Sequence, residues 1–375
     1  MLFIRRDDLK TGMRLARPIY NKNGVLLYER NSKLTTQGIV SIRNFGLIGI
    51  FVLEPAEPVP PMTQEDIDFE RFQTMYVFSI QEEMEKILQT RRLYKMPAIA
   101  ANIVKSYGHV DKKLNFIQNL RSKEDYVYKH SLNVAILCAM ITHRLNLRLD
   151  EQADTVQAAV IHDIGKLTVP KNIKDKDILT EEEQEVVLQA QIQGYNLIDI
   201  VFSSSPNVKR ICTQAQRILD SLANDDDIST MKKVNGAKVL AVAETFDTMT
   251  AMRVEQEPES EVAALKHLLD NPEVYDSDVV RALIRSINIL APGVSVELNT
   301  GEKALVLTPN EQNILEPVIL MFGDNSIVDL SDREIFGDLE IKDIMKTMDN
   351  RHVMDIDLLK KQGFKVDEPE YVTVP

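Results

Sequence analysis

The chain has 375 residues, 44% hydrophobic and 27% charged, the composition of a globular protein with enough apolar residues for a sizeable core. Acidic residues outnumber basic ones by 57 to 44, and the net charge of −13 argues against binding a nucleic-acid polymer, which needs clustered Lys and Arg. Neither a membrane span nor a signal-peptide pattern is found, and two cysteines are too few for a disulfide framework, so we expect a cytoplasmic protein with no membrane partner.

Residues 1–55 have the pattern of a small α+β domain. Two strands joined by an Asn-Gly turn, a helix and a third strand are predicted at 14–20, 25–28, 35–44 and 47–53. Residues 56–94 combine a Pro-rich linker with a long amphipathic helix at 64–93. An apolar stripe of this kind is typical of a core contact or a dimer seam, so a homodimer through the 64–93 helix is one expectation.

The apolar period is helical from residue 95 to 290 and then changes to that of strands. Residues 95–290 therefore predict an all-helical domain, and 291–330 predict a small module built on a β-hairpin. Residues 331–375 form an acidic tail with weak patterning. The predicted fold class is mainly α, with an all-helical core, a small α+β N-terminal domain and a small β-rich C-terminal module.

Side chains able to carry chemistry concentrate in one predicted helical hairpin, built from helices at 125–145 and 151–164. With the turn placed midway between the two helices, His130 and the adjacent His162 and Asp163 differ by about 6 Å in position along the helix axes, at 1.5 Å per residue. In an antiparallel helix pair these three side chains can therefore meet without help from a third element.

Two imidazoles and a carboxylate that converge in a core favour a divalent cation, because a buried carboxylate needs a positive partner. Such nitrogen and oxygen ligands suit Mn, Fe, Co, Ni or Zn, and the sequence does not choose among them. Lys166, level with His130, adds a positive charge. The alternative is that His130 caps the helix start and His162 is a core histidine with ordinary hydrogen-bond partners.

A further acid, Glu244, lies in the middle of a small, apolar face of the helix predicted at 235–253. An acid in that position needs a partner, and Glu244 is the candidate fourth metal ligand. A structural ion pair of Glu244 with Lys166 or Lys238 is the alternative.

Three strings, HDIGKLTVP at 162–170, YKHSLNV at 128–134 and LAVAETFD at 240–247, resemble the HD-GYP branch of the HD phosphohydrolase superfamily. The resemblance covers roughly residues 95–290, and LKTGM at 9–13 begins a unit similar to the small domain often found ahead of such modules. It implies an all-helical HD-type core that hydrolyses cyclic di-GMP with two or three metal ions, in bacterial second-messenger signalling.

The predicted metal ligands are His130, His162, Asp163 and Glu244. The last of them stands where the family has an Asp, one methylene shorter. Arg253 matches a family arginine expected to contact substrate phosphate. Lys166 would neutralise phosphate charge, so substrate binding is assigned to Lys166 and Arg253, and catalysis to Lys166 and Asp163.

Other family positions differ in this chain. The His expected four residues before Gly194 is Ala190, and a paired His is replaced by Gln214 and Ala215. The Gly-Tyr-Pro loop of the family falls in 222–233, where none of these three residue types occurs, and the Pro-Tyr-Arg that should follow the substrate arginine is absent. A second and a third metal ion therefore lack their imidazoles.

Apolar stripes at 187–197 and 208–222 indicate that ordinary core residues fill those positions. We therefore expect a degenerate HD-GYP-like protein with one divalent ion and a cyclic dinucleotide or other nucleotide as its ligand. Two outcomes stay open from sequence: a metal-dependent phosphodiesterase or phosphohydrolase, and a catalytically inactive signalling or protein-interaction module of the same fold.

Overall fold

The computed structural model describes residues 2–44, 49–53, 62–174, 176, 178–224, 226–228, 230–253 and 258–345. The predicted linker at 54–61 and the last part of the predicted tail, 346–375, lie outside the described residues. The chain divides into two compact units, one of residues 1–75 with 290–375 and the other of residues 76–289.

The N-terminal part of the first unit is a small α+β fold. Its elements are β1 (Leu2–Arg5), β2 (Arg14–Leu15), β3 (Ile19–Tyr20), β4 (Leu26–Tyr28), α1 (Thr36–Asn44) and β5 (Gly49–Leu53). Antiparallel β5 lies between β1 and β2, and β3 and β4 form the predicted hairpin. The single strand predicted at 14–20 is broken in two, and Pro18 in the gap has no N–H with which to continue a ladder.

The C-terminal part of the same unit is a five-stranded antiparallel sheet in the order β10-β6-β7-β8-β9. Its elements are β6 (Ser295–Leu298), β7 (Lys303–Thr308), β8 (Val318–Met321), β9 (Ile327–Asp329), α12 (Arg333–Phe336) and β10 (Ile341–Ile344). The hairpin predicted within 291–330 is present as β6 and β7. Strands β9 and β10, at the two edges of this sheet, were not predicted, because strands of three and four residues show too little alternation of apolar and polar side chains.

The second unit is helical. Its elements, with α2 shared between the units, are α2 (Gln64–Thr90), α3 (Met96–Tyr107), α4 (Tyr126–Arg144), α5 (Leu149–Ile161), α6 (Lys171–Lys174), α7 (Glu181–Val201), α8 (Pro206–Asn224), α9 (Asn235–Thr250), α10 (Glu261–Asp270) and α11 (Ser277–Ser286). Helix α4 is buried on all faces and packs against α3, α5, α9 and α11.

The predicted fold class, mainly α with a small α+β N-terminal part and a small β-rich C-terminal part, is confirmed. Among the described helices, none combines the length and the apolar character that crossing a bilayer requires.

One helix boundary near the predicted site differs from the expectation. The helix predicted at 151–164 ends at Ile161, and a 3₁₀ turn follows over Ile164–Thr168. Helix α7 packs tightly on this turn: a Cβ on Gly165 would lie 2.4 Å from the carbonyl oxygen of Ala190, and a Cβ on Gly194 2.7 Å from the Gly165 nitrogen. His162 is thus the residue at which the chain leaves α5, and Asp163 lies in the turn, which we call the HD turn (162–168).

Candidate metal centre

The two imidazoles meet across the α4–α5 hairpin. His130 lies one turn inside α4 and His162 follows the last residue of α5; both are buried, with Nε2 atoms 3.3 Å apart. His130 is not a cap, as the alternative would require, because its Nδ1 contacts the side chain of Asp247 on α9 at 2.7 Å.

The hydrogen-bond partners determine which ring nitrogens carry protons. His162 Nδ1 is 2.8 Å from the carbonyl oxygen of Ala159, which can only accept, so Nδ1 is the donor. His130 Nδ1 donates to an Asp247 oxygen. Burial alone would raise the pKa of Asp247, but the Arg121 guanidinium and the His130 hydrogen bond hold it well below its usual value, so the carboxylate is ionised. The Nε2 atoms that face each other are therefore the ring nitrogens that these two hydrogen bonds leave available for a cation.

Asp163 is the third member of the cluster. Its Oδ2 accepts a hydrogen bond from Lys166 Nζ at 2.7 Å and lies 3.8 Å from His130 Nε2. Its Oδ1 is buried, has no hydrogen-bond partner among the described residues and lies 3.8 Å from His162 Nε2. Burial would raise the pKa of Asp163, but Lys166 and the two imidazoles keep it well below its usual value.

Glu244 approaches from α9. Its Oε2 lies 3.9 Å from His162 Nε2, and the side chain is mostly buried. Within the part of the chain that the structure describes, no lysine comes within 4.0 Å of it: Lys166 bonds to Asp163, and Lys238 bonds to Asp276 at 2.8 Å. The two lysines of the alternative interpretation thus pair with other acids, and the role of Glu244 as a ligand stays a prediction.

These groups fit a divalent ion. The ligand atoms of His130, His162 and Asp163 lie within 4.8 Å of one another, with Glu244 at the edge of this set. Neighbouring donor atoms lie 3.3 to 3.9 Å apart. This is less than twice the ligand distance of about 2.1 Å expected for zinc, so one ion could contact both atoms of each pair. A buried carboxylate oxygen without a hydrogen-bond partner is costly by itself, and a cation held by it and by the two Nε2 atoms would satisfy it.

Lys166 and Arg253, the predicted substrate residues, lie at the rim. The Lys166 side chain is 38% exposed, and one of its three N–H groups is used by Asp163. Desolvation would lower the pKa of Lys166, but the Asp163 carboxylate raises it overall. Arg253 donates to the Tyr126 hydroxyl at 3.1 Å and lies over the Tyr126 ring, which stacks on His130 with centroids 5.4 Å apart.

A buried polar network lies beside His130 and was not predicted from the sequence. Asp247 and Arg121 are both fully buried and form a bidentate ion pair with two distances of 2.6 Å. Gln118 and Asn133 each donate to Asp247 at 3.2 Å. The signal available for Asp247 was its place three residues after Glu244 in an apolar helix; Arg121, in a loop, carried no signal of its own.

At the positions where the HD-GYP pattern has further His residues, this chain has side chains that make other contacts. Ala190 and Ala215 are buried core residues. The Gln214 side chain accepts from the Val234 N–H at 2.9 Å and donates to the Lys232 carbonyl at 3.4 Å. These side chains pack or bind backbone, and none offers an imidazole.

Next to them, α7 and α8 present neutral polar groups. Gln191 donates to the His162 carbonyl at 3.2 Å and to the Tyr195 hydroxyl at 3.0 Å, and that hydroxyl donates to Gln216 at 3.2 Å. Burial raises the pKa of Tyr195 well above its usual value, so the phenol is neutral.

A cleft of about 520 Å³ opens beside the cluster, a size typical of ligand pockets. The lining residues are Leu219, Glu244, Thr245, Thr248, Met249, Glu259, Ala263 and His267. Glu244 is the side chain that the cleft and the cluster share.

Comparison with known proteins finds similarity to one domain family and to several curated phosphodiesterases. The HD domain family matches residues 115–279. Cyclic di-GMP phosphodiesterase PA4108 of Pseudomonas aeruginosa is 24% identical over 225 residues, which are 60% of this chain and 53% of that protein. Cyclic di-GMP phosphodiesterase PdeB of Borreliella burgdorferi is 24% identical over 52% of each chain.

A third relative, 3'3'-cGAMP-specific phosphodiesterase 3 of Vibrio cholerae, is 26% identical over 45% of this chain and 37% of that protein. Among solved structures, Bd1817, an HDG"Y"P protein from Bdellovibrio bacteriovorus, aligns with a TM-score of 0.44 and 13% identity, over 75% of this chain and 97% of that one. The chain spans about half the length of the first two curated relatives. The stretch similar to the HD domain family, residues 115–279, includes both imidazoles, Asp163 and Glu244.

Proposed function

We propose that this protein is a metal-dependent phosphohydrolase with a reduced, single-ion site that acts on a cyclic dinucleotide or a related nucleotide. The observation that carries the proposal is the buried convergence of two imidazole Nε2 atoms and a carboxylate oxygen that has no hydrogen-bond partner among the described residues. HD domains are metal-dependent, and the relatives are named as phosphodiesterases of cyclic di-GMP and 3'3'-cGAMP, which supports this substrate class.

The charges of the cluster support one ion. Leaving the two imidazoles aside, the carboxylates of Asp163 and Glu244 and the ammonium of Lys166 sum to one net negative charge. One divalent ion would change this sum to one positive charge, which matches the single negative charge of a phosphodiester. A second ion at the positions of the family's further imidazoles would meet the buried side chains of Ala190 and Ala215, which cannot bind a metal.

His130, His162, Asp163 and Glu244 would hold the ion. Bound there, a divalent ion supplies Lewis acidity toward a phosphoryl oxygen and lowers the pKa of a water molecule. Mn, Fe, Co, Ni and Zn all accept this ligand set, so the choice among them belongs to the experiment.

The side chains at the rim would bind and orient substrate. Lys166, kept in place by Asp163, has two further N–H groups for a phosphate oxygen. Arg253, held by Tyr126, would bind a second phosphate. The cleft beside Glu244 would receive a nucleoside, with its apolar face against Leu219 and Met249.

The direct test is metal analysis of protein purified without chelators, followed by turnover assays. Cyclic di-GMP, 3'3'-cGAMP and a mononucleotide panel would be incubated with Mn, Fe, Co, Ni or Zn. We expect about one ion per chain and hydrolysis that disappears in His162→Ala. Lys166→Met should lower kcat while the metal content stays unchanged, and Lys209→Met, which changes a surface lysine paired with Asp199, should match the wild type.

A second candidate is a catalytically inactive signalling or protein-interaction module of the same fold. The packed alanines at positions 190 and 215 and the missing Gly-Tyr-Pro residues favour it. It predicts no turnover under any metal, whether the nucleotide binds without reaction, measured as a rise in Tm, or the helical surface binds a protein partner instead. Turnover that is lost in His162→Ala contradicts it.

Homodimerisation through α2 and a cytoplasmic location stay predictions. Sedimentation of the full chain, compared with a variant carrying Glu in place of apolar residues on α2, tests the first. Fractionation of cells that produce the chain tests the second.

A further inference from the structure

Both oxygens of the Asp247 carboxylate accept hydrogen bonds from donors within the protein. Oδ2 accepts from Arg121 Nη1 at 2.6 Å and from His130 Nδ1 at 2.7 Å. Oδ1 accepts from Arg121 Nη2 at 2.6 Å and from Gln118 and Asn133 at 3.2 Å each. With five donors around two oxygens, Asp247 has no lone pair left for a metal ion, and its effect on the centre must pass through His130.

Three contacts restrict the His130 ring. The planar fork of Arg121 fixes the plane of the Asp247 carboxylate, so the oxygen that faces Nδ1 cannot rotate away. Tyr126 stacks on the ring with an interplanar angle of 18°. Because Nδ1 points at Asp247, Nε2 points at His162, toward the cluster.

We propose that Asp247, held by Arg121, is a positioning residue that fixes His130 in its Nδ1–H tautomer and aims Nε2 at the metal ion. The inference rests on the proposed metal site. It adds a buried ion pair that does not bind the metal ion itself but orients His130, one of the proposed ligands. Metal-bound histidines commonly donate their second N–H to a carboxylate, and loss of such a support weakens metal affinity about 10- to 100-fold.

The test replaces the buried ion pair without leaving a charge behind. Arg121→Met combined with Asp247→Leu removes the acceptor of Nδ1, and apolar replacement of a whole buried pair is commonly tolerated by the fold. Arg121→Met combined with Asp247→Asn keeps an acceptor oxygen and is the conservative rescue. Thr250→Val is the matched control, because Thr250 bonds to Gln118 in the same network at 2.9 Å and does not touch His130.

Two readouts are needed. The first is the Kd for Zn²⁺ from competition with a chelating dye, with far-UV circular dichroism to verify folding. We expect the Kd to rise at least about tenfold in the Met/Leu variant, to rise less in the Met/Asn variant, and to stay within about twofold in Thr250→Val. The second is the ¹⁵N–¹H spectrum of the imidazoles in the metal-free protein, with His130 assigned through His130→Gln. The Met/Leu variant should lose the Nδ1–H pattern of His130.

Several results would overturn the inference. They are a folded Met/Leu variant that binds Zn²⁺ as tightly as the wild type, an Nδ1–H tautomer that persists without Asp247, and an equal loss of affinity in Thr250→Val. If the wild type binds none of Mn, Fe, Co, Ni and Zn, the proposed function fails, and the imidazole spectra still decide the role of Asp247. If the Met/Leu variant does not fold, the Met/Asn variant, whose neutral oxygen accepts more weakly than a carboxylate, must still show a higher Kd than Thr250→Val; equal Kd values in these two variants would overturn the inference.

Discussion

The two imidazoles of the centre have the same tautomer for different structural reasons. His130 donates to Asp247, 117 positions away in the sequence, and that carboxylate is held by a buried arginine. His162 donates to the carbonyl of Ala159, three residues earlier on its own helix. One ligand therefore depends on long-range packing of charged groups, and the other on local backbone geometry.

This difference implies two kinds of vulnerability. The His130 side contains a buried ion pair, which is costly to break by removing one partner. On the His162 side the ring bonds to a backbone carbonyl instead, and its position depends on how closely α7 packs on the HD turn through Gly165 and Gly194. Substitutions on the two sides should therefore differ in how much stability they cost and in which imidazole shows a changed spectrum.

The largest effect is expected from Arg121→Leu alone. It leaves the Asp247 charge buried without its partner, and we expect the free energy of unfolding to fall by about 3–5 kcal/mol. Urea denaturation measures this change. Lys238→Met, in a pair that is partly exposed, should cost about 1 kcal/mol or less. Equal losses in the two variants would show that burial of the Arg121 pair does not matter.

Asp163→Ala removes the carboxylate that lies between the two imidazoles. We expect bound metal to disappear, with a loss of affinity greater than the 10- to 100-fold of a change outside the ligand set. Metal analysis after dialysis measures it. Asp220→Ala, an exposed acid on α8, should keep the wild-type metal content; the same content in Asp163→Ala would argue against the proposed ligands.

Gly194→Ala tests the His162 side. The added Cβ would lie 2.7 Å from the backbone nitrogen of Gly165, so the HD turn must shift, and we expect a loss of about 1–3 kcal/mol. The imidazole signals of His162 should change more than those of His130. Gly323→Ala, where a Cβ has open space, is the control. An unchanged His162 signal would mean that α7 does not position the turn.

The smallest effect is expected at Asp276, the N-cap of α11 and the partner of Lys238. Burial would raise the pKa of Asp276, but Lys238 and the N–H groups of Val279 and Asp278 lower it overall. Its contribution is therefore present above the unfolded pKa of about 3.9 and is lost as the pH falls through the folded value. Asp276→Ala should cost about 1 kcal/mol at pH 7 and less at pH 3 in urea titrations. A cost that grew on acidification would contradict the direction of this shift.

The sequence was sufficient for features whose determinants lie close together along the chain. Helical periodicity located α4, α5, α8 and α9, and a short connection was enough to infer that His130 meets His162. The end of α5 was predicted three residues late, because the glycine contacts that place α7 on the HD turn come from another helix. The strands β9 and β10 were missed for a related reason, since each is recognisable only by its neighbour in the sheet.

What the amino-acid sequence determined by itself is a helical domain with two histidines and an aspartate brought together by one hairpin, because a period of 3.6 residues and a short turn specify that register. Only the tertiary structure decided which way each ring faces, which oxygen of Asp163 lacks a partner, and that Arg121 and Asp247 form a buried pair behind His130. The physical reason is distance along the chain: partners 114 to 129 residues apart meet through packing of a loop, α4 and α9, which no local pattern encodes.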